Sequence, residues 1–304
     1  MKKVVIEMSD HFLVHAIIFE PKGEPIGHIH LLHGMAEHIA RYDEFAQFLV
    51  GKGFVVTGHD HRGHGRTAAI NGLKGHFDRH NGFERAVQDV REVIAYFREQ
   101  LRSIPFILFG HSMGSFLARR YIQLYGHDVN AVILAGTSGD PGMSRAAGQV
   151  IAYLSGKKDG NLRQNHFLNK LIFGRYNKNV PNPKTPFDWL SRDELKVIQY
   201  LKDPACGIVP TTQFFADLFG GLRQIHRKSE VEKIPKNLPI LLLSGSKDPV
   251  GKNGKAVWKV AGQMEQAGIK RVTVMLFEGG RHELLHEKNR QNVFKFVNDW
   301  IEKR

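Results

Sequence analysis

Cysteine is nearly missing from this sequence, since Cys206 is the only one among 304 residues. A chain with one cysteine forms no intrachain disulfide, which excludes the small disulfide-stabilised folds. A single thiol also fits a reducing compartment, so we expect a cytoplasmic protein.

Long apolar runs are missing as well. No segment approaches the roughly 18 consecutive apolar residues of a membrane-spanning helix. After Met1-Lys2-Lys3, the acidic residues Glu7 and Asp10 interrupt any apolar stretch, so we expect no signal peptide. An apolar content of 42% with 24% charged residues is ordinary for a globular protein.

The chain is short of acidic residues, with 43 Lys and Arg against 30 Asp and Glu and a net charge of +13. It has no basic block with interleaved aromatic residues, so we expect no nucleic-acid partner. Residues 151–236 alone carry 15 basic and 8 acidic residues. This local excess predicts peripheral contact with an anionic membrane or lipid micelles; the alternative is an ordinary solvated basic surface.

Short apolar segments alternate with segments of helical periodicity along most of the chain. The predicted strands are 4–8, 12–19, 27–32, 54–57, 104–109, 129–135, 238–244 and 271–277. The predicted helices between and after them are 42–50, 83–97, 115–124, 255–266 and 291–301. Strands that are apolar throughout indicate a parallel sheet covered on both faces, and the first two strands predict an antiparallel edge hairpin. The fold class is therefore α/β, with a mostly parallel, doubly wound sheet.

The alternation stops between about 137 and 235, where helical patterns follow one another. Ser191-Arg192-Asp193-Glu194 has the pattern of a capping box that opens a helix. A later helix carries an apolar stripe of Phe214, Phe215, Leu218 and Phe219. We interpret residues 137–235 as a helical cap inserted into a core of 1–136 and 236–304, with some stripe residues in the cap core and others lining a pocket.

Ser112 is the candidate nucleophile. It stands in Gly110-His111-Ser112-Met113-Gly114, a G-x-S-x-G motif between a predicted strand and a predicted helix. In that context the chain reverses within about one residue, and two glycines allow strand and helix to approach each other. The serine hydroxyl is then exposed at the carboxyl edge of the sheet.

A serine hydroxyl needs a base, and the base needs an acid to orient it. The candidate acid is Asp248, just after the strand 238–244, and the candidate base is His282, which follows the last strand through Gly279-Gly280. Asp140, in the turn after an earlier strand, is the rival acid. The candidate oxyanion-hole donors are the backbone N–H groups of Met35, in the loop after the third strand, and Met113.

Two histidine patterns resemble metal sites. His282-Glu283-Leu284-Leu285-His286 fits H-E-x-x-H, but it follows a glycine loop rather than lying in an established helix. His59, His61 and His64 are interrupted by Arg62 and flanked by glycines, which favours a structural loop. We expect no metal and no cofactor.

Several motifs together resemble the α/β-hydrolase group of monoacylglycerol lipases and bacterial lysophospholipases, also called the serine aminopeptidase S33-type group. They are HGMAEHIARY at 33–42, DHRGHG at 60–65, GHSMG at 110–114, SGSKDPVG at 244–251 and GGRHELLHE at 279–287. The resemblance covers nearly the whole chain and implies Ser112 as nucleophile, Asp248 as acid and His282 as base. It also implies Met35 and Met113 as oxyanion donors, and a helical cap between the sixth and seventh strands. Thr67 departs from the serine that more often follows GHG in the family.

The function expected from these residues is cofactor-free hydrolysis of a small acyl ester through an acyl-enzyme, with monoacylglycerols or lysophospholipids as substrates. One alternative is an aminopeptidase or amidase of the same fold, which needs an acidic group to hold the substrate ammonium. Another is a non-catalytic ligand-binding protein on the same fold. A nucleophilic aspartate is disfavoured because the elbow holds a serine.

Overall fold

Eight strands of the described residues form one sheet. In chain order, β1 to β8 are Lys2–Glu7, Leu13–Phe19, Gly27–Leu32, Phe54–His59, Phe106–His111, Ala131–Ala135, Ile240–Gly245 and Val272–Phe277. Their order across the sheet is β1-β2-β4-β3-β5-β6-β7-β8. The computed structural model describes residues 1–101, 103–140 and 142–304. β2 pairs antiparallel with both β1 and β4, and every other pairing is parallel. The sheet therefore has the mostly parallel order and the antiparallel edge hairpin that the sequence predicts.

Side chains of the central strands alternate between two hydrophobic clusters, one on each face of the sheet. In β5, Phe106 and Leu108 belong to one cluster, whereas Ile107 and Phe109 belong to the other. This is the two-residue period of a strand, and it explains why a doubly covered strand is apolar throughout.

Eleven α-helices are present in the described ranges. In chain order, α1 to α11 are Asp43–Val50, Gly65–Asn71, Gly82–Arg98, Met113–Tyr125, Met143–Asp159, His166–Phe173, Glu194–Lys202, Thr212–Ile225, Lys228–Val231, Lys255–Gln266 and Arg290–Glu302. Helices α1 and α11 contribute Phe45 and Phe294 to the face that holds Phe109. Helices α3, α4 and α10 cover the opposite face, which makes the sheet doubly wound.

Five helices, α5 to α9, lie between β6 and β7, where the sequence predicts a helical cap. The only strand-like pairing described between these two strands is an isolated bridge that joins Gln164 and Thr211. Helix α8 packs into the same hydrophobic cluster as the sheet, because Phe214 and Phe215 lie with Leu108. The division of the chain at 136 and 236 stays a prediction.

The predicted capping box at 191–194 is wrong in one respect. Helix α7 begins at Glu194, and its N-cap is Asp193, whose carboxylate accepts from the N–H groups of Leu195 and Lys196. The Ser191 Oγ accepts instead from the Asp193 N–H at 2.9 Å and donates to the carbonyl of His286. Asp193, rather than Ser191, therefore caps the helix, which starts later than the motif predicts.

No helix in the described residues combines the length and the apolar character that a membrane span requires.

Candidate active site

Ser112 lies at the single position between β5 and α4, with φ of 50° and ψ of −117°. Positive φ is uncommon for a residue with a side chain and carries a strain of roughly 1–3 kcal/mol. The turn is held by the N–H of Ser112, which donates to the carbonyl of Ala135 at 2.9 Å. A Cβ on Gly110 would overlap the Gly114 carbonyl, and a Cβ on Gly114 would overlap the Leu32 carbonyl. The tight turn thus requires both glycines of the motif.

Asp248 and His282 meet beyond the carboxyl ends of β7 and β8. The His282 Nδ1 lies 3.0 Å from each carboxylate oxygen of Asp248, and both side chains are buried. Because an ionised carboxylate only accepts, Nδ1 carries the proton and Nε2 has a free lone pair. His282 is therefore held in the tautomer that a general base requires.

The charge on Asp248 is stabilised despite its burial. Burial opposes ionisation, but the contact with His282 and the N–H groups of Val250 and Gly251 outweigh it, so the pKa of Asp248 lies below its ordinary value. The Val250 N–H donates to Oδ1 at 2.8 Å. Asp248 therefore remains an anion at neutral pH.

Ser112, Met35, Met113 and His282 line one cavity of 560 Å³. The cavity lies at the carboxyl edge of the sheet, where the first turn of α4 presents backbone N–H groups. At Gly34, next to Met35, an added Cβ would lie 3.2 Å from the Ser112 Cβ and 2.6 Å from a carboxylate oxygen of Glu37. Glycine thus allows the loop after β3 to come close to the serine.

The apolar stripe of α8 divides as the sequence predicts. Leu218 and Phe219 line the cavity, whereas Phe214 and Phe215 are fully buried in the hydrophobic cluster and do not. Phe214 packs on Phe77, with ring centroids 4.3 Å apart. Much of the remaining apolar lining comes from α4, α6 and residues 187–190.

The two rival patterns make other contacts in the structure. Asp140 pairs with Arg145 at 3.0 Å. In the H-E-x-x-H segment, Glu283 forms two hydrogen bonds to Arg41, and the His286 Nε2 donates to the Arg41 carbonyl at 3.0 Å. Only residues 284–286 form a short 3-10 helix, so His282 and His286 do not share an α-helical face.

A buried polar cluster behind Ser112 escaped the sequence analysis. The Glu37 carboxylate accepts from the Gly34 N–H at 2.6 Å and from the Tyr42 hydroxyl at 2.8 Å, and it also pairs with Arg41. The only signal was the acidic residue within HGMAEHIARY, which by itself resembles a surface residue.

His111 joins this cluster to the His282 backbone. Its Nδ1 lies 3.1 Å from Glu37 and its Nε2 lies 3.3 Å from the His282 carbonyl. Both partners are acceptors, so both ring nitrogens carry protons. Burial lowers the pKa of His111, but the hydrogen bond and the charge of Glu37 raise it by a larger amount. The pKa of His111 therefore lies above its ordinary value. His111 is thus a buried imidazolium that supports the backbone at the candidate base.

Histidines of β3, β4 and the following loop form a buried hydrogen-bonded chain, with links of 2.6 to 3.1 Å. It passes in order through the side chains of His28, Thr57, His30, His59 and His61 to the carbonyl of His33. The His33 carbonyl at the end of this chain can only accept, so each side chain in the chain donates to the next one toward that carbonyl. At the other end, the His28 Nδ1 has no hydrogen-bond partner in the described residues. His33 in turn donates to the Gly34 carbonyl at 2.7 Å. The chain therefore stabilises the loop that carries Met35.

Comparisons with known proteins agree with this architecture. The profile of the family described as serine aminopeptidase, S33, matches residues 23–289. Human monoglyceride lipase is 28% identical and covers 94% of this chain and 86% of that protein. A probable lysophospholipase L2 of Haemophilus influenzae is 29% identical over 89% of this chain and 82% of that protein.

Among solved structures, a thermostable carboxyl esterase from Bacillus coagulans superposes with a TM-score of 0.93 and 27% identity. The match covers 99% of this chain and 98% of the esterase chain. With the fold and the length both matched, the chain belongs to the serine aminopeptidase S33 family and has the α/β-hydrolase fold.

Proposed function

We propose that this protein is a serine hydrolase that cleaves carboxylic esters through an acyl-enzyme. The proposal rests above all on the Asp248–His282 pair, which lies at the same apolar cavity as the strained Ser112. The relatives named as a lipase, a lysophospholipase and an esterase support the substrate class.

In the first half-reaction, Ser112 Oγ attacks the ester carbonyl carbon while His282 Nε2 accepts the hydroxyl proton. Asp248 stabilises the imidazolium that forms. The N–H groups of Met35 and Met113 donate to the oxyanion of the tetrahedral intermediate. The C–O bond to the alcohol then breaks, and His282 returns the proton to the leaving oxygen. Water repeats these steps on the acyl-enzyme and releases the acid.

The apolar lining favours an acyl chain over an amino acid as the bound group. Phe219, Leu218 and Phe116 supply apolar surface, and monoacylglycerols or lysophospholipids are the substrates we propose. An aminopeptidase would need a carboxylate free to bind the substrate ammonium. The two acidic residues that line the cavity, Glu37 and Glu283, are both paired with Arg41.

The cap presents a surface that suits an anionic lipid interface. Helices α5 and α6 expose Tyr153, Leu154 and Phe167 beside Lys157 and Lys158. We expect peripheral adsorption through these apolar side chains, assisted by the local positive charge. The cytoplasmic location expected from the single cysteine remains a prediction.

The nucleophile is tested with a fluorophosphonate probe, which phosphonylates only activated serines. The wild-type protein is expected to be labelled, and Ser112→Ala is expected to lose both labelling and ester turnover. Ser144→Ala changes an exposed serine that also lines the cavity, and this matched control is expected to keep both. Equal labelling of the Ser112→Ala protein would refute the assignment.

The bond cleaved is tested by comparing p-nitrophenyl esters with aminoacyl anilides. Turnover of esters is expected to exceed that of anilides by orders of magnitude. Turnover of anilides alone would reverse the substrate class and leave the serine mechanism in place. Absence of turnover with both, in a protein that still binds fatty acids, would identify a binding protein.

Membrane contact is tested by sedimentation with vesicles of phosphatidylglycerol or of phosphatidylcholine. Binding is expected on the anionic vesicles, falling with added salt and with Phe167→Ser. Trp258→Ser, an exposed aromatic residue of α10, is the control and leaves binding unchanged. Equal binding by all three proteins would exclude the cap as the contact surface.

A further inference from the structure

One group of metal-ligand side chains in the described part of the chain lies outside the candidate triad. His38, Asp203 and Cys206 place one ligand atom each within 4.8 Å of one another. The His38 Nε2 and the Asp203 Oδ2 are 2.8 Å apart. His38 follows β3, whereas Asp203 and Cys206 follow α7, so the group bridges the core and the predicted cap.

Backbone and side-chain contacts fix the spacing of the two loops. The Gly207 N–H donates to the Ala36 carbonyl at 2.9 Å, and the Tyr200 hydroxyl donates to the same carbonyl at 3.0 Å. The Ala205 N–H binds Asp203 Oδ1 at 2.8 Å, which leaves Oδ2 directed at His38. The ligand atoms are therefore brought together before any cation binds.

The charges around the group favour a cation. The carboxylates of Glu37, Asp203 and Glu283 and the guanidinium of Arg41 all lie close enough to the Cys206 thiol to affect its pKa. Three of these four groups are anionic. Burial raises the pKa of the Cys206 thiol, although nearby Arg41 opposes this, so a cation must displace the thiol proton in order to bind.

We propose that His38, Asp203 and Cys206 form a binding site for a thiophilic divalent cation such as Zn²⁺. One sulfur, one imidazole nitrogen and one carboxylate oxygen suit zinc, with water as a fourth ligand. On binding, the Cys206 S–H bond breaks, its proton leaves to solvent, and the sulfur lone pair binds the cation. Zinc bonds of about 2.1 Å in tetrahedral geometry place nitrogen and oxygen about 3.4 Å apart, so the His38–Asp203 contact opens by about 0.6 Å.

A bound cation would link the loop that carries Met35 to the loop after α7. This site is separate from the ester chemistry proposed above and does not depend on it. The cation binds the folded chain only when both loops are in place, so it raises the melting temperature, and the stabilisation grows with the logarithm of the free cation concentration above Kd.

Cd²⁺ and Co²⁺ are suitable probes, because a thiolate bound to either gives a charge-transfer absorption band. We expect one equivalent to bind to the chelator-treated, full-length protein, to produce this band and to raise the melting temperature. Cys206→Ser is expected to lose the band. His38→Ala and Asp203→Asn are expected to weaken binding at least ten-fold, since even outer-sphere changes often cost 10- to 100-fold.

His11→Ala is the matched control, because His11 pairs with Glu7 on the surface and takes no part in the group. This variant is expected to bind like the wild type. Melting temperatures without metal verify that each variant folds. Absence of a thiolate band in the wild type would overturn the proposal, and so would a band of equal affinity in His38→Ala and Asp203→Asn, which would indicate that the thiol binds the cation without the other two side chains.

Discussion

The Phe219 ring forms one wall of the cavity, so its removal is expected to change which acyl chains the protein prefers. A buried methylene contributes about 0.8 kcal/mol, which corresponds to about a four-fold gain in kcat/KM for each added carbon. In the wild type the gain stops where the chain meets the wall. In Phe219→Ala the gain should continue over further methylenes, so the optimum moves to longer chains.

Two neighbouring substitutions separate this effect from a general loss of packing. Phe215 is fully buried, does not line the cavity, and lies 6.4 Å from Phe219 between ring centroids. Phe215→Ala is therefore expected to lose about 3–5 kcal/mol of unfolding free energy and to keep the wild-type chain-length optimum. Gly148→Ala places a Cβ 2.7 Å from the Phe219 ring, which should press the ring into the cavity and shorten the optimum.

The assay is kcat/KM against p-nitrophenyl esters of increasing acyl length for the wild type and the three variants. Melting temperatures are measured alongside to report the loss of stability. A wild-type profile that is flat, or that falls from acetate onward, would refute an acyl pocket. A shift in optimum of equal size in Phe215→Ala and Phe219→Ala would show that packing, and not the wall, sets the preference.

Three further predictions follow from the site and the buried histidines. Asp248→Asn should lower kcat by roughly four orders of magnitude, because the wrong tautomer of His282 is then favoured. Asp140→Asn should change kcat little. If the two effects were reversed, Asp140 would be the acid. Ester turnover should survive dialysis against a chelator, since no proposed step uses a metal, and its loss with recovery on zinc would contradict this. Burial lowers the pKa of His28 to about 3, below the 6.5 of an unfolded histidine. The unfolded chain then binds more protons, so stability is fully present above about pH 6.5 and falls as the pH approaches 3, by about 1.4 kcal/mol per pH unit for this residue. Urea midpoints from pH 7.5 to pH 4.5 should show this loss, with a shallower slope in His28→Leu, and a midpoint independent of pH would disprove it.

The arrangement of the sheet was predictable because it follows from local patterns. Strands buried on both faces must be apolar throughout, and Phe106 to Phe109 show this pattern in sequence and in structure. The tight turn at Ser112 was also predictable from local residues. Gly110 and Gly114 mark it, because a Cβ at either position would overlap a backbone carbonyl. Asp248 and His282 each follow a strand, and parallel strands bring their carboxyl ends to one edge.

The helix start at 191–194 was not predictable from the capping box, because two residues of the motif can act as N-cap. Ser191 has the right spacing to Glu194, but its Oγ accepts from the Asp193 N–H and donates to the carbonyl of His286, and Asp193 caps the helix. Nothing within a few residues of the motif indicates that His286 would hold Ser191 in this position. Local capping rules therefore name the candidates, and a tertiary contact takes part in the choice between them.

Tertiary structure alone also decided the charge and proton positions around the site. The sequence by itself determined that Glu37 and His111 lie within two of the family motifs, yet it could not show that the two side chains are buried and paired with each other. Likewise, His38 and Cys206 are 168 positions apart, and only the docking of two loops brings their ligand atoms together. The periodicity of apolar residues in a sequence predicts which face of a strand or helix a side chain occupies. Which side chain it then pairs with depends on the distant segment that packs against that face.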